Sequence, residues 1–448
     1  MSLPRRLGLG SAIAVVVGST IGSGIFRSPA AIADKLPGPG PLLAVWVTGG
    51  LFALCGALTL AEVSSALPRT GGIYAFLKEA WGPLPAFLFG WAELVVIRAA
   101  ATGAIALTFA EYLFRLLGLP LTAPHDAYTH YAAAGAIVVV AAVNIVGVRF
   151  GAALQTVTTI AKCGALLLVV VLALAVALPR GGAANLGVPG GFAFGPFGLA
   201  LVSVLWAFDG WADLSFLAGE VRDPGRTLPR ALIGGTLAVI VIYLAANVAY
   251  LVTVPIDELR RSPLIAAEVG SRILGGAGVV LVSIAVAVST FGALNGVLLT
   301  TPRIFFAMAE DGLLFRPLAA VHPRFQTPYL AIGLGAVLGI AFVLLRTFEQ
   351  LADAFVVAIT PFYALGVAAV FRLRRRAEHA PAFRVPGYPV TPALFVAAVL
   401  YLLVNAVADP SSRWPTVAVL GVVAAGAPVY FFTSARRSSR PRRRSPSG

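Results

Sequence analysis

Charged residues are scarce in this chain of 448 residues, and their scarcity excludes most soluble folds. Only 12% of the residues are charged, whereas 59% are hydrophobic; soluble globular domains carry about 25% charged residues. The composition therefore predicts a protein that is embedded in a lipid bilayer. Acidic residues are scarcer than basic ones, with 19 aspartates and glutamates and 33 lysines and arginines. Since the basic residues lie in short loops and in the C-terminal tail, they indicate membrane topology and not a nucleic-acid partner.

Cysteine and histidine are also rare. The two cysteines, Cys55 and Cys163, fall inside apolar stretches, so we expect no disulfide in the loops. None of the four histidines stands at metal-ligand spacing from another. Without clustered acids, bases or metal ligands at membrane depth, the sequence predicts neither an enzyme nor a bound metal or cofactor.

Long apolar stretches are what the chain has in abundance. A helix needs roughly 20 apolar residues to span a bilayer, and this length predicts twelve transmembrane helices. They cover residues 8–36, 40–66, 83–116, 130–148, 151–178, 195–219, 231–254, 276–307, 328–346, 350–371, 389–407 and 415–433. If the N-terminus is cytoplasmic, most lysines and arginines fall on the inner side. The positive-inside rule then predicts a multi-pass cell-membrane protein with both termini in the cytoplasm.

Two of these spans contain glycine-marked interruptions. GSTIGSGIF (18–26) interrupts the first span, and WAFDGW (206–211) interrupts the sixth. A lipid-embedded helix keeps its backbone groups paired, so such a break is favourable only where the freed groups meet a ligand, water or other protein. Breaks at matching places in two halves of a chain are typical of transporters with inverted repeats.

The breaks also predict the domain organisation. We expect a first five-helix repeat at 8–178 and a second at 179–371, with the two broken helices antiparallel at the midplane. Helices 11 and 12, with a preceding basic loop, would occupy 372–433. The predicted cytoplasmic segments are 1–7 at the N-terminus and a basic tail at 434–448.

The first break has the chemistry of a carboxylate site. The N-H groups that begin its second half-helix, near Ser23, lack intrahelical partners and lie at the positive end of a helix dipole. The hydroxyls of Thr20 and Ser23 would add donors. The alternative is that Gly18, Gly22 and Gly24 serve close helix packing.

The second break has the complementary chemistry. A half-helix that ends near Ala207 leaves carbonyl groups at the negative end of its dipole, which suits an ammonium group. The two breaks together therefore predict an α-amino acid as substrate. Trp206, Phe208 and Trp211 would supply an aromatic wall or lid. Asp209 is interpreted as a helix N-cap, with a proton-carrying or cation-selecting role as the alternative.

Three basic residues lie within predicted spans. Lys162 is placed deep in the fifth helix, where a lysine needs a polar cavity, a partner or loss of its proton. Its charge would take the place of a coupling cation beside the first broken helix. For Arg98 we favour an ion pair with Glu93 or Asp213, and Arg27 would face the outer vestibule.

Six stretches of this chain match a known pattern of motifs. They are GSTIGSGIFRSP (18–29), LPRTGGIYAFLKEAWGP (67–83), FDGWADLSFLAGEVRDPGRTLPRAL (208–232), NVAYLVTVPIDEL (247–259), STFGALNGVLLTTPRIFFAMAEDG (289–312) and FRVPGYP (383–389). Together they resemble the amino acid-polyamine-organocation superfamily, in particular its L-type amino acid transporter branch and bacterial relatives. The resemblance implies an all-α membrane protein with the LeuT-like fold, a 5+5 inverted repeat with helices 1 and 6 unwound, and transport of L-amino acids.

The resemblance also implies roles for individual residues. Thr20, Gly22, Ser23 and Gly24 would bind the substrate carboxylate, and the carbonyls of Trp206, Ala207 and Asp209 would bind its ammonium group. The full expected substrate site is Thr20, Ile21, Gly22, Ser23, Gly24, Trp206, Ala207, Phe208, Asp209 and Gly210. Trp206 occupies the aromatic gate position, and Lys162 matches the lysine that stands where sodium binds in sodium-coupled relatives. The outer-loop cysteine that joins animal members to a heavy chain is missing, so no disulfide-linked heavy chain is expected. Animal members typically carry glycine in place of Asp209, so their substrate preference does not transfer directly.

These observations predict a sodium-independent L-amino acid transporter that works by alternating access and exchanges or facilitates neutral amino acids. The alternative is a proton-coupled symporter of broader specificity, cationic substrates included. An amino acid sensor on the same fold is a further alternative. The sequence does not predict the oligomeric state.

Overall fold

A computed structural model describes residues 5, 7–36, 38–69, 71–121, 126–146, 148–310, 313, 316–325, 327–376 and 380–438 of the chain. Most of the predicted N-terminal segment and residues 439–448 of the predicted basic tail lie outside the described residues. Within the described part the chain is almost entirely helical. An isolated bridge between Leu7 and Val221 is the one β-type pairing found there.

Twelve helical spans, α1 to α12, follow one another along the chain. They are α1 as the half-helices α1a (Leu9–Thr20) and α1b (Gly24–Lys35), α2 (Pro39–Ala66), α3 (Pro83–Leu116), α4 (Asp126–Val146), α5 (Val148–Ala177), α6 as α6a (Phe194–Phe208) and the 3₁₀ segment α6b (Asp213–Glu220), α7 (Pro224–Thr253), α8 (Gly276–Glu310), α9 (Tyr329–Leu345), α10 (Phe348–Leu373), α11 (Val390–Ala408) and α12 (Arg413–Ala424 continued by Gly426–Ser438).

The prediction of twelve spans is confirmed. Ten helices of the described chain are long and apolar enough to cross a membrane, and the bent pair α1a and α1b adds another. The shorter apolar helix α9, of 17 residues, completes the set. Each predicted span therefore has a helix at its place in the chain. Because the chain crosses the bundle an even number of times, both described ends lie on one face of it. We call this face the terminal face and the other one the opposite face.

Local sequence explains where several spans begin. Pro39, Pro83 and Pro224 stand at the first helical position, where a missing N-H costs nothing. A capping box starts α10, because Thr347 Oγ1 accepts from the Gln350 N-H at 3.4 Å and Gln350 Oε1 accepts from the Thr347 N-H at 3.3 Å.

The packing of the spans brings the two broken helices together. The half-helix α1b packs against α6a, and α7 packs against both α1a and α2. On the other side, α8 packs against α3 and α5, and α10 packs against α3 and α6a. The breaks in α1 and α6 therefore lie in the interior of the bundle.

Three features differ from the sequence prediction. Residues Ile73–Trp81 form a helix between α2 and α3 that the apolar pattern alone did not indicate. The second half of α6 is a 3₁₀ segment, not a resumed α-helix. The third feature is a π-helical turn at Glu93–Ile97 inside α3.

Candidate substrate site between the two broken helices

The break in α1 has the backbone geometry that frees donors. α1a ends at Thr20 and α1b starts at Gly24, at an angle of 42°. The Ile21 N-H still bonds to the Val17 carbonyl at 2.9 Å, and the Phe26 N-H bonds to the Ser23 carbonyl at 3.1 Å. Within the described residues, the amides of Ser23, Gly24 and Ile25 have no main-chain acceptor. They form the N-terminus of α1b and are available to an anion.

The side chains of this break contribute less than the sequence suggested. The Thr20 hydroxyl donates to the Val16 carbonyl of its own helix at 2.8 Å, so its proton is already used. Ser23 is 2% exposed and its hydroxyl makes no capping bond to α1b. The donors that remain are mainly backbone N-H groups.

The glycines of the break divide into two kinds. A Cβ on Gly18 would lie 2.8 Å from Thr159, and one on Gly24 would lie 2.3 Å from the Cα of Ala207. A Cβ on Gly22 would meet only the Thr20 carbonyl at 3.9 Å. Close packing therefore accounts for Gly18 and Gly24, whereas Gly22 is not required by packing.

The break in α6 depends on Gly210. This glycine has φ +109°, and a Cβ there would lie 2.6 Å from the backbone of Ser19. Only glycine allows this torsion together with this close approach, so the α6 break lies directly against the end of α1a. The interpretation of Asp209 as an N-cap is wrong, because Asp209 ends α6a and Ala212 precedes α6b.

A tyrosine of α7 joins the two breaks. The Tyr243 hydroxyl lies 2.7 Å from the Thr20 carbonyl oxygen and 2.9 Å from the Ala207 carbonyl oxygen. One hydroxyl has one proton, so Tyr243 donates to either carbonyl in turn. Thr20 is the last residue of α1a, and Ala207 is the next-to-last residue of α6a. The Tyr243 side chain therefore contacts freed carbonyl groups of both helices.

Lys162 contacts the first break from α5. It is 2% exposed, and its Nζ donates a hydrogen bond to the Gly18 carbonyl. Because α1 stops being helical after Thr20, that carbonyl lacks the usual helical donor. The structure therefore places Lys162 beside the first broken helix, where the sequence predicted it.

The three aromatic residues that were expected to form a wall or lid, Trp206, Phe208 and Trp211, pack against different helices. Trp206 stands edge-on to Phe348 and Phe355 of α10, with ring centroids 6.0 and 5.1 Å away. Phe208 instead packs against Tyr243 at 5.1 Å, and Trp211 packs against Tyr363 at 5.1 Å. Trp206 and Trp211 therefore both meet α10, near its start and farther along it, whereas Phe208 meets α7.

Arg27 lies in a buried ion cluster instead of an open vestibule. It is 7% exposed, and its Nη2 lies 3.3 Å from Glu111 of α3 and 3.2 Å from Glu349 of α10. Its Nη1 donates to the Pro263 carbonyl at 3.1 Å, and its guanidinium stacks over the Phe348 ring. Since Phe348 also contacts Trp206, this cluster joins α1b, α3 and α10 above the breaks on the opposite face.

Asp209 and Arg98 belong to one polar cluster below the breaks. The Tyr363 hydroxyl donates to Asp209 Oδ1 at 2.7 Å. Arg98 Nε donates to Glu93 Oε2 at 2.5 Å, which confirms the predicted ion pair. Arg98 also interacts electrostatically with Asp213 and Asp209.

Sequence reasoning missed Tyr243, Tyr363, Glu111 and Glu349. Tyrosines are common in membrane helices, so nothing in the sequence distinguishes the two that reach freed polar groups. Glu111 carried a usable signal, because an acid near a helix end needs a basic partner, and Arg27 was the available one.

Comparison with known proteins agrees with this architecture. A family model described as amino acid permease matches residues 7–426. The serine/threonine exchanger SteT of Bacillus subtilis (strain 168) is 33% identical over 443 residues, which is 98% of this chain and 98% of that protein. The human b(0,+)-type amino acid transporter 1 is 34% identical over 376 residues, or 83% of this chain and 77% of that protein. The human cystine/glutamate transporter is 31% identical over 439 residues, or 96% of this chain and 85% of that protein.

The bundle, its broken spans and these similarities define a multi-pass membrane transporter of amino acids, not an enzyme. The chain belongs to the amino acid permease family. The expected superfamily and its all-helical fold class are thereby confirmed.

Proposed function

We propose that this protein is a sodium-independent exchanger of neutral L-amino acids, with the substrate held between the breaks in α1 and α6. The observation that carries the proposal is the pair of freed backbone ends, which meet at Gly24 and Ala207 and are joined by the Tyr243 hydroxyl. Donors from α1b and acceptors from α6a match the two charged ends of an amino acid. The exchanger SteT, similar over 98% of this chain, supports exchange as the mode of transport.

The proposed binding pose follows from the unpaired groups. The substrate carboxylate would bind the amides of Ser23, Gly24 and Ile25, at the positive end of α1b. Its ammonium group would bind the Ala207 carbonyl and displace the Tyr243 hydroxyl from it. Each hydrogen bond to a charged group contributes about 1.5–3 kcal/mol, so a few of them suffice for micromolar to millimolar affinity.

Lys162 would replace a coupling cation. A sodium ion in this position would be coordinated by freed carbonyls, and the Gly18 carbonyl already accepts from the lysine Nζ. The ammonium group of the side chain would hold α1a in place without an ion from solution. This contact supports sodium independence.

Preference for neutral substrates would follow from the surroundings of Asp209. Its carboxylate is bound by Tyr363 and lies in the field of Arg98. A carboxylate with these partners offers little attraction to a cationic substrate side chain. The alternative, broader specificity that includes cationic amino acids, requires Asp209 to leave Tyr363.

The orientation in the membrane belongs to the same proposal. Arg372, Arg374, Arg375 and Arg376 lie at the terminal face, at the end of α10. The positive-inside rule then makes the terminal face cytoplasmic and the Arg27 cluster extracellular. No disulfide-linked heavy chain is proposed, because both cysteines lie within helices, Cys55 in α2 and Cys163 in α5.

Counterflow into proteoliposomes tests the proposal. Vesicles with purified protein are loaded with unlabelled L-serine, L-leucine or L-arginine, and uptake of each labelled amino acid is measured in sodium or choline buffer. We expect uptake of a neutral amino acid that requires internal substrate and is equal in the two buffers. Uptake only in sodium, or no uptake of any of the three, would overturn the proposal.

A further inference from the structure

The polar cluster below the breaks contains more acid than base. Its charged members are Glu93 and Arg98 of α3 and Asp209 and Asp213 of α6, with Tyr363 of α10 bonded to Asp209. Ser19, in the last turn of α1a, donates to Asp213. Arg98 is the cation that acts on all three carboxylates.

A π-helical turn creates the first pair of the cluster. In a regular α-helix, residues five apart point about 140° away from each other. The π turn at Glu93–Ile97 places one more residue in the turn, and the Arg98 N-H bonds to the Glu93 carbonyl. Glu93 and Arg98 therefore share one side of α3, where their side chains meet at 2.5 Å.

The depth of the cluster makes its charge balance important. Glu93 lies ten residues into α3, or about 15 Å from the end of the helix, near the middle of a bilayer. It is completely buried, and its Oε1 has no hydrogen-bond partner in the described structure. Full ionisation would leave three carboxylates against one guanidinium. A surplus of two negative charges in this position is strongly unfavourable without a compensating cation.

We propose that Glu93, Asp209 and Asp213 share a bound proton beside Arg98, and that its release slows amino acid exchange. The proton joins a carboxylate oxygen as an O-H bond and removes one negative charge from the cluster. Asp209 and Asp213 are half-buried and supply the route for exchange with water, whereas Glu93 is enclosed.

The location of the cluster explains why the proton would control the transport rate. The carboxylates join α3, α6 and α10, and Asp213 also contacts the end of α1a. Loss of the proton adds a negative charge between these elements when they are packed together, as they are here. Since the broken helices must pass through this packed arrangement in every cycle, deprotonation slows the cycle.

Infrared difference spectroscopy tests the bound proton without any transport assay. A protonated carboxylic acid has a C=O stretching band that a carboxylate does not show. In purified wild-type protein titrated between about pH 5.5 and about pH 8.5, we expect this band to decrease as the pH rises. In the E93Q/D213N variant, one carboxylate faces one guanidinium, so the buried band should be absent throughout.

Exchange rates test the functional half, which rests on the proposed function. Counterflow of L-serine by the wild type should fall about tenfold across the same pH range, and the rate of E93Q should change by less than about twofold. The matched control is E79Q/D257N, which changes one glutamate and one aspartate that form ion pairs outside the cluster. This control should behave as the wild type does.

The charge balance also predicts which variants fold. E93Q removes surplus charge and should keep the protein monodisperse, whereas R98Q should not. If E93Q/D213N fails to fold, E93Q alone must still show a reduced band.

The inference is overturned if the wild type has no titrating carboxylic band, if E93Q keeps it unchanged, or if amino acid exchange is independent of pH. Absence of any amino acid flux would instead overturn the proposed function and leave the infrared test standing.

Discussion

Tyr243 and Thr20 are joined by a hydrogen bond of 2.7 Å that connects α7 to the freed end of α1a. The same hydroxyl lies 2.9 Å from the Ala207 carbonyl, so one side chain contacts both broken helices. The Tyr243 hydroxyl therefore bridges the freed ends of α1a and α6a, and in the proposed pose a substrate ammonium takes its place at Ala207.

Replacement of Tyr243 by phenylalanine removes this hydroxyl and keeps the ring. We expect Y243F to leave two buried carbonyls without a donor, which costs about 1–3 kcal/mol and lowers the exchange rate or substrate affinity by roughly tenfold. Tyr250, also in α7 and fully buried, is the matched control, because its hydroxyl has no partner in the described structure. Y250F should retain wild-type counterflow; equal losses in both variants would mean that Tyr243 acts only through packing.

Loss of the Lys162 ammonium should disable transport while the protein stays folded. K162A leaves the Gly18 carbonyl without its charged donor, and a hydrogen bond of that kind contributes about 1.5–3 kcal/mol, or roughly tenfold to a hundredfold in rate. Counterflow and gel filtration measure the two properties. The neighbouring Cys163 provides the control variant C163A, which should transport normally, and wild-type flux in K162A would contradict the assigned role.

Gly22 and Gly24 should respond differently to alanine. A Cβ at Gly24 would lie 2.3 Å from the Cα of Ala207, so G24A should disturb the packing of α1b on α6a and lower thermal stability. Gly22 has room for a Cβ, so G22A should fold normally. If the break binds a carboxylate, G22A should still weaken binding of a labelled amino acid, through reduced freedom of the backbone. Wild-type affinity in a well-folded G22A protein would place the carboxylate elsewhere.

Arg27 should stabilise the packing of α1b against α3 and α10 on the opposite face. R27Q leaves Glu111, whose side chain is 15% exposed, without its cation, and breaking a buried pair in this way costs about 3–5 kcal/mol. We expect a lower melting temperature in detergent, followed by intrinsic fluorescence, and a higher KM for uptake. R260Q changes an exposed arginine on the same face and should alter neither property.

The ion pair between Glu62 and Arg374 on the terminal face should persist at alkaline pH. Arg374 donates two hydrogen bonds to the Glu62 carboxylate, at 2.7 and 2.6 Å, and these bonds raise the pKa of Arg374 above its ordinary value. A base with a raised pKa loses its contribution to stability only as the pH rises through that pKa. The ion pair should therefore persist at neutral and alkaline pH. E62Q should lower the melting temperature at neutral and alkaline pH alike. E79Q, which alters a more exposed pair with Arg376, should cost only about 0–1 kcal/mol.

The length and spacing of apolar residues were enough to predict the spans, because a bilayer imposes a fixed thickness on every helix that crosses it. The depth of Lys162 was likewise sufficient to predict that it needs a polar partner. The particular partner could not be predicted, since the Gly18 carbonyl is a backbone group and has no side-chain signature.

Long-range contacts account for most of what the sequence did not predict. The packing partners of Trp206, Phe208 and Trp211 depend on which neighbouring helix each ring meets. The local sequence around the three residues gives no information on that. The Arg27 cluster unites residues from distant parts of the chain, although each of its members was visible as a charged residue near the end of an apolar stretch.

The π turn in α3 has a consequence for how this helix tolerates a change of length. The turn brings two residues five apart, Glu93 and Arg98, to one side of the helix. Deletion of one residue between them would restore a regular helix and leave them four apart, a spacing that also puts them on one side. The ion pair would remain, but the rest of α3 would turn by about 100° relative to it and present different residues to α8 and α10. A single deletion would therefore keep the buried charge pattern and change the helix packing around it.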